Sequence, residues 1–138
     1  MRRTVLTLGL VLAAGIALGV IGTKVLSAQS ESTTRTVLLR TDLAGMDGQE
    51  GIIMVAVIAP GLETGRHIHP GHEFAYVLEG SGTLEVEGKP SMALKPGAAI
   101  YQPPGQVHNG RNASATAPLK ILVLHITEKG KADTIPVK

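Results

Sequence analysis

The sequence contains no cysteine and no tryptophan, and the missing cysteine removes a whole class of chemistry. Without it the chain forms no disulfide bond and holds no metal ion through thiolates. Any metal ion must therefore be bound by imidazole nitrogens and carboxylate oxygens. The five histidines and 11 acidic residues are the side chains in which to look for a site.

Aromatic residues are scarce, since Phe74, Tyr76 and Tyr101 are the only ones. Proteins that bind single-stranded nucleic acid without sequence preference stack the bases on aromatic side chains, and three residues offer no such platform. The core and any pocket must then be built from Val, Leu, Ile, Ala and Met.

The chain also lacks a concentrated positive charge. Three of the 13 basic residues, Arg2, Arg3 and Lys24, lie in an N-terminal segment without acidic residues, so ten basic residues face 11 acidic ones in the remainder. Those ten are scattered along the chain. A near-neutral body without a basic patch excludes nucleic acid as a partner.

The N-terminal segment is typical of export. Met1-Arg2-Arg3 is followed by an almost unbroken run of apolar and small residues from Val5 to Ile21. Residues 1–28 are predicted to be either a signal peptide cleaved after Ala28 or an uncleaved anchor over residues 4–22. We expect a periplasmic or extracellular protein that contacts a membrane only through this segment, if it is retained.

After a polar linker, residues 29–35, the chain divides into short β-type runs separated by Gly and Pro. Such runs without a helical pattern predict a single all-β antiparallel domain over residues 36–138. The predicted strands are Thr36–Arg40, Gly51–Ala59, Arg66–His69, Glu73–Glu79, Thr83–Glu87, Ala99–Gln102, Val107–Arg111 and Leu119–Thr127.

Two of these runs, Ile52–Ala59 and Ile121–Leu124, are apolar on both faces. A strand with two apolar faces is buried inside a core or covered by a second subunit. We therefore expect a homodimer.

Histidines and one glutamate occur with a spacing that suits a metal ion. His67 and His69 are two residues apart, so in a strand they share a face. Pro70-Gly71 reverses the chain, and Glu73 then begins the return strand beside them. His108 follows a Pro-Pro-Gly turn in a different hairpin. Two imidazoles and one carboxylate make a facial triad, and His108 would complete the site.

The stretches 61–80 and 97–112 resemble the two signature motifs of the cupin superfamily. The first reads Gly, five residues, His-x-His, three residues, Glu, six residues, Gly, and the second reads Gly, five, Pro-x-Gly, two, His, three, Asn. Every signature position is matched. The resemblance implies an antiparallel jelly-roll β-barrel enclosing one divalent metal ion, with His67, His69, Glu73 and His108 as ligands.

Two histidines fall outside these signatures. His72 precedes Glu73 and so points away from it, which favours a turn or surface residue over a supporting role in the site. His125 shares a strand face with Leu119, Ile121 and Val123, so it is expected to line the barrel. We expect it to be a hydrogen-bonded core residue, with metal ligation as the alternative.

A site of three imidazoles and one carboxylate leaves two positions open on an octahedral ion of Fe, Mn, Ni, Cu or Zn. The leading hypothesis is an exported dioxygenase-type oxidoreductase that acts on a small organic substrate, with Glu73 as the catalytic base. One alternative is a non-catalytic module that binds a carboxylate or a sugar through the metal. Another is a metal-dependent isomerase or hydrolase. Tyr76 is disfavoured as a catalytic acid because it points away from the face of Glu73.

Overall fold

The computed structural model describes residues 32–138, so the predicted export segment lies outside the described residues. The described chain forms ten strands and no helix, and hence holds no helix that could cross a membrane. The strands are β1 (Thr33–Asp42), β2 (Gln49–Ile58), β3 (His67–Ile68), β4 (His72–Glu79), β5 (Gly82–Val86), β6 (Met92–Leu94), β7 (Ala99–Gln102), β8 (His108–Asn112), β9 (Leu119–Glu128) and β10 (Ile135–Pro136).

The strands form two five-stranded antiparallel sheets. The first sheet has the order β1-β2-β9-β4-β7, and the second has the order β10-β3-β8-β5-β6. Neighbours in a sheet are mostly distant in the chain, as in a jelly roll, because successive connections cross from one sheet to the other. The structure confirms the predicted all-β jelly-roll fold.

All eight predicted strands are present, although their ends differ by up to three residues. Strand β1 begins at Thr33 instead of Thr36. Strands β6 and β10 were not predicted, because they are three and two residues long and too short to show alternation. Strand β10 contains Pro136 and lies at a sheet edge, where proline is tolerated.

The core lies between the two sheets and is aliphatic. On β9 the residues alternate, so that Leu119, Ile121, Val123 and His125 are buried while Lys120 between them is half-buried. The buried apolar residues are Ile52, Met54, Ile58, Ala75, Val77, Leu84, Leu94, Leu119, Ile121 and Val123.

The outer face of the first sheet is also apolar. Its residues alternate with the buried ones on strands β2, β4, β7 and β9, and each is at least partly exposed. We call this set the outer apolar face: Ile53, Val55, Val57, Phe74, Tyr76, Leu78, Tyr101, Leu122, Leu124 and Ile126. Both faces of this sheet are thus apolar, as the two uninterrupted runs in the sequence indicated.

Gly80 shows why the first signature ends in glycine. Its φ is +86°, which L side chains rarely adopt. A Cβ atom there would lie 2.4 Å from the carbonyl oxygen of Pro118. The turn after β4 therefore packs against the start of β9 only if residue 80 has no side chain.

Candidate metal centre

Two cross-strand pairs face each other between the sheets. On the second sheet His67 lies opposite His108, and on the first sheet Glu73 lies opposite His125. His69, in the connection from β3 to β4, completes the cluster. All five side chains are buried. The four predicted site residues are therefore brought together, and His125 joins them.

Backbone carbonyls fix the tautomer of three of these imidazoles. The Nδ1 atoms of His67, His69 and His108 lie 2.7, 2.5 and 2.9 Å from the carbonyl oxygens of Gly65, Asp133 and Gln106, respectively. A carbonyl only accepts, so each Nδ1 carries the hydrogen and donates it. The neutral ring then presents the lone pair of its Nε2 atom, which is the arrangement of metal-binding histidines.

The Glu73 carboxylate has several imidazole nitrogens around one oxygen. Its Oε2 atom lies 2.5, 3.4 and 3.7 Å from the Nε2 atoms of His69, His108 and His125. No group of the described chain donates a hydrogen bond to this buried oxygen. An imidazole lone pair and a carboxylate oxygen repel at such distances unless a cation or a proton lies between them.

Burial and mutual proximity shift the pKa values of these groups. Burial lowers the pKa of His67 to about 4, so the ring is neutral at pH 7. Burial alone would raise the pKa of the Glu73 carboxyl, but protons on the Nε2 atoms of the facing imidazoles of His108, His125 and His69 outweigh burial and hold that pKa far below its usual range when no metal ion is bound. The centre therefore contains a permanent carboxylate at pH 7.

Burial and the neighbouring charge also act on the pKa of His108, and their net effect is to raise it. Burial lowers the pKa of its imidazole, but the Glu73 carboxylate outweighs burial and raises it. In the absence of a metal ion, the Glu73 carboxylate thus favours the protonated form of the His108 imidazole.

These donors fit a divalent metal ion. The ligand atoms of His67, His69 and His108 lie within 4.8 Å of one another, and so do those of His69, Glu73 and His125. Neutral imidazoles with inward lone pairs, together with an ionised carboxylate, are ligands suited to iron, manganese, nickel, copper or zinc. The cluster can hold a metal ion, and the two groups overlap at His69.

The cluster lies at one end of an interior cavity of about 60 Å³. This volume has room for on the order of four to six water molecules. Apart from the cluster, its lining residues are Arg35, Met54, Ala56, Ile58, Thr64, Ala75, Leu84, Leu94, Ile100, Gly110, Ile121 and Val123. Arg35 is the one basic residue among them. The cavity thus combines a polar end and apolar walls, and the exposed residue Arg35 borders it.

Residues of the second signature stretch make hydrogen bonds that position the strand carrying His108. The amide of Gly105 donates a hydrogen bond of 2.9 Å to the carbonyl oxygen of His69. The side-chain amide of buried Asn112 donates to the carbonyl oxygens of Ile58, Ala59 and Ala117. The first bond holds the turn before β8 beside the connection from β3 to β4, and the others fix the end of β8 against the end of β2 and the segment before β9. The final Asn of the motif is a structural residue.

The remaining histidine and the two tyrosines lie on the outer surface, away from the cluster. His72 is exposed, and its Nδ1 atom lies 2.9 Å from the hydroxyl of Tyr101 on the outer surface. Tyr76 also points outward and is exposed. Both positions agree with the predicted parity, and neither residue reaches the cluster.

His125 differs from expectation. It is buried and lines the cavity, as its parity indicated, but its Nε2 atom has no hydrogen-bond partner in residues 32–138. We had expected a hydrogen-bonded core residue. The signal in the sequence was a histidine at an inward position among aliphatic residues, but the motifs do not include it.

Comparison with known proteins agrees with this architecture. The Cupin_2 family model, which describes a cupin domain, matches residues 54–125. The beta-alanine degradation protein BauB of Pseudomonas aeruginosa is 41% identical over 73 residues, which cover 51% of this chain and 76% of that protein.

Two solved structures are similar to this chain in fold. A cupin-like protein from Thermotoga maritima is 27% identical with a TM-score of 0.60, and the match covers 76% of this chain and 75% of that one. The DMSP lyase DddQ from Ruegeria pomeroyi is 23% identical with a TM-score of 0.63, covering 84% of this chain. The chain spans only 57% of the length of DddQ, and at this identity the likeness concerns the fold alone. From its matched half, its paired sheets and its buried histidines, this chain belongs to the cupin family.

Proposed function

We propose that this cupin is a metal-dependent oxidoreductase of dioxygenase type that acts on a small organic carboxylate. The observation that carries the proposal is the convergence of inward imidazole lone pairs and an ionised carboxylate in a cavity with apolar walls. A redox-active ion bound there would supply the activation of dioxygen. The candidate ions are iron, manganese, nickel and copper.

The chain's own residues hold and isolate the reacting groups. His67, His69, Glu73 and His108 are the proposed ligands, and the carbonyl oxygens behind three of the imidazoles keep those rings in place. Glu73 is the proposed base once its carboxylate is released from the metal ion, because the residue lines the cavity and its Oε2 atom has no hydrogen-bond partner in residues 32–138. The aliphatic walls exclude water from a reactive substrate.

Arg35 supports a carboxylate as the substrate class. It lies opposite Ala56 on β2, whereas the cluster lies at the level of Ile52, four residues along the same strand. At the rise of a β-strand this separation is about 13 Å. A short organic acid could then place its carboxylate toward Arg35 and its reactive end toward the cluster. The relative BauB is a beta-alanine degradation protein, which also supports an amino acid or similar acid as the substrate.

Metal analysis and oxygen uptake test this function together. The full chain is purified without a histidine tag, its metal content is measured, and oxygen consumption is followed with a panel of short amino and hydroxy acids that includes beta-alanine. We expect a redox-active metal and substrate-dependent uptake. Arg35→Gln should raise KM for the acid at least tenfold with kcat little changed, because it loses a charge contact remote from the reaction.

A non-catalytic carboxylate-binding module is the second candidate, and Arg35 favours it equally. Tightly held zinc, with no oxygen uptake but measurable binding of an organic acid, would support that function and contradict the oxidoreductase. Conversion of a substrate without oxygen uptake would instead support a metal-dependent isomerase or hydrolase.

We further propose that two copies associate through the outer apolar face. That face spans four adjacent strands and carries Phe74, Tyr76 and Tyr101 among its exposed residues. A continuous apolar sheet surface of this kind is typical of a protein interface. In a monomer, the outer apolar face would remain exposed to solvent.

We also propose export directed by residues 1–28, as the sequence indicates. Mass spectrometry of the protein recovered from cell fractions tests this proposal. An N-terminus at Gln29 in the periplasmic or extracellular fraction would support a cleaved signal. An intact Met1 in the membrane fraction would support an anchor, and an intact chain in the cytosol would contradict export.

A further inference from the structure

His125 occupies a position that the core would otherwise give to an aliphatic residue. The preceding inward residues of β9, Leu119, Ile121 and Val123, are apolar and buried, and Ile52 is its partner on β2. His125 itself is only 3% exposed. A buried imidazole nitrogen without a partner destabilises the fold, so the residue needs a compensating interaction that the described chain does not supply.

The unpartnered atom faces the metal-binding groups. The Nε2 atom of His125 lies 3.7 Å from Glu73 Oε2, and its ring centroid lies 4.3 Å from that of His69. The ligand atoms of His69, Glu73 and His125 all lie within 4.8 Å of one another. His125 therefore meets the same distance criterion as the signature residues, although its Nε2 atom lies farther from Glu73 Oε2 than those of His69 and His108.

The pairing of the strands independently places His125 beside the metal-binding groups. Each sheet contributes one directly opposed pair to the centre, His67 with His108 and Glu73 with His125. In antiparallel strands, directly opposed residues project from the same face about 5 Å apart. When Glu73 projects into the site, His125 must project into it as well.

We infer that His125 is a fifth protein ligand of the metal ion, bound through Nε2. This inference rests on the metal centre of the proposed function and extends the ligand set to four imidazole nitrogens and one carboxylate. A six-coordinate ion then keeps one open position instead of two. The organic substrate is held by the cavity walls and Arg35, leaving that position for a single small ligand.

Cobalt substitution tests the ligand number without any need for activity. Full-length metal-free protein is loaded with Co²⁺, and the strongly shifted, exchangeable imidazole N–H proton signals are counted by NMR. We expect four signals in the wild type and three in His125→Gln. A chelator competition should also show at least a tenfold weaker Co²⁺ affinity in this variant.

Exposed His72 provides the matched control, since His72→Gln should retain four signals and the wild-type affinity. His125→Leu, which suits the aliphatic surroundings, repeats the test should the glutamine variant fail to fold. Three signals in the wild type and in every folded variant would overturn the inference while leaving the metal centre intact. A wild type that binds no Co²⁺ would instead refute the metal centre and the proposed function with it.

Discussion

Strand β4 presents two faces that have opposite chemistry. Its inner face carries Glu73 in a buried cluster of imidazoles, whereas its outer face carries His72, Phe74 and Tyr76 at the surface. The adjacent residues His72 and Glu73 therefore have entirely different surroundings. Alternation along one strand is sufficient to separate a candidate metal centre from a candidate interface by the thickness of one sheet.

The largest contrast between the two faces should appear in stability. Leu119→Ala removes a side chain that is fully buried, whereas Leu78→Ala removes one that is 41% exposed on the outer face. We expect the first to lower the free energy of unfolding by about 2–5 kcal/mol and the second by about 1 kcal/mol or less. Urea unfolding measures both, at a chain concentration low enough to keep the proteins monomeric. Equal losses would contradict the assignment of inner and outer faces.

The inner face should also make the metal-free protein sensitive to acid. The pKa of His67 is lowered to about 4 in the folded state from 6.5, so between these values the unfolded chain binds more protons. Stability should therefore fall as the pH drops from 6.5 to 4, by about 3 kcal/mol from this group alone. His108, whose pKa is raised, contributes stability below pH 6.5 that is lost as the pH rises through its folded value.

Urea midpoints measured across this range check the effect. His67→Gln should flatten the decline between pH 6.5 and 4, whereas exposed His72→Gln should leave it unchanged. An identical decline in His67→Gln would show that other groups cause the acid sensitivity.

The outer face should control association with a smaller effect on the single domain. Leu122→Ser and Leu124→Ser together introduce hydroxyls into the outer apolar face while leaving the inward residues of β9 in place. Sedimentation velocity should show dimers for the wild type and monomers for this variant, with equal metal content per chain. A wild type that sediments as a monomer at micromolar concentration would contradict the proposed dimer.

The contrast between faces also explains what could be predicted from the sequence. The positions of His67, His69, Glu73 and His108 follow from local spacing and from a motif match. The inward direction of His125 also follows from parity. The approach of His125 to Glu73 could not be predicted in this way. It depends on the register between β4 and β9, which pairs Glu73 with a residue 52 positions later in the chain.

Other features of the site could not be predicted from the sequence, because they too depend on contacts between residues that are distant in the chain. The hydrogen bond from the His69 ring to the carbonyl oxygen of Asp133 joins residues that are 64 positions apart. Arg35 enters the cavity lining because β1 pairs with β2, whereas its local sequence indicates an ordinary polar strand. Local periodicity determines which face a side chain takes, but only the strand pairing determines which side chains meet.

The most direct test of the central claim compares two neighbouring histidines, one from each face. Co²⁺ affinity is measured by chelator competition for the wild type, His69→Ala and His72→Ala, after circular dichroism has shown that each protein is folded. We predict tight binding of one ion by the wild type and by His72→Ala, and at least a tenfold loss of affinity in His69→Ala. Equal affinity in all three proteins would contradict a metal centre on the inner face.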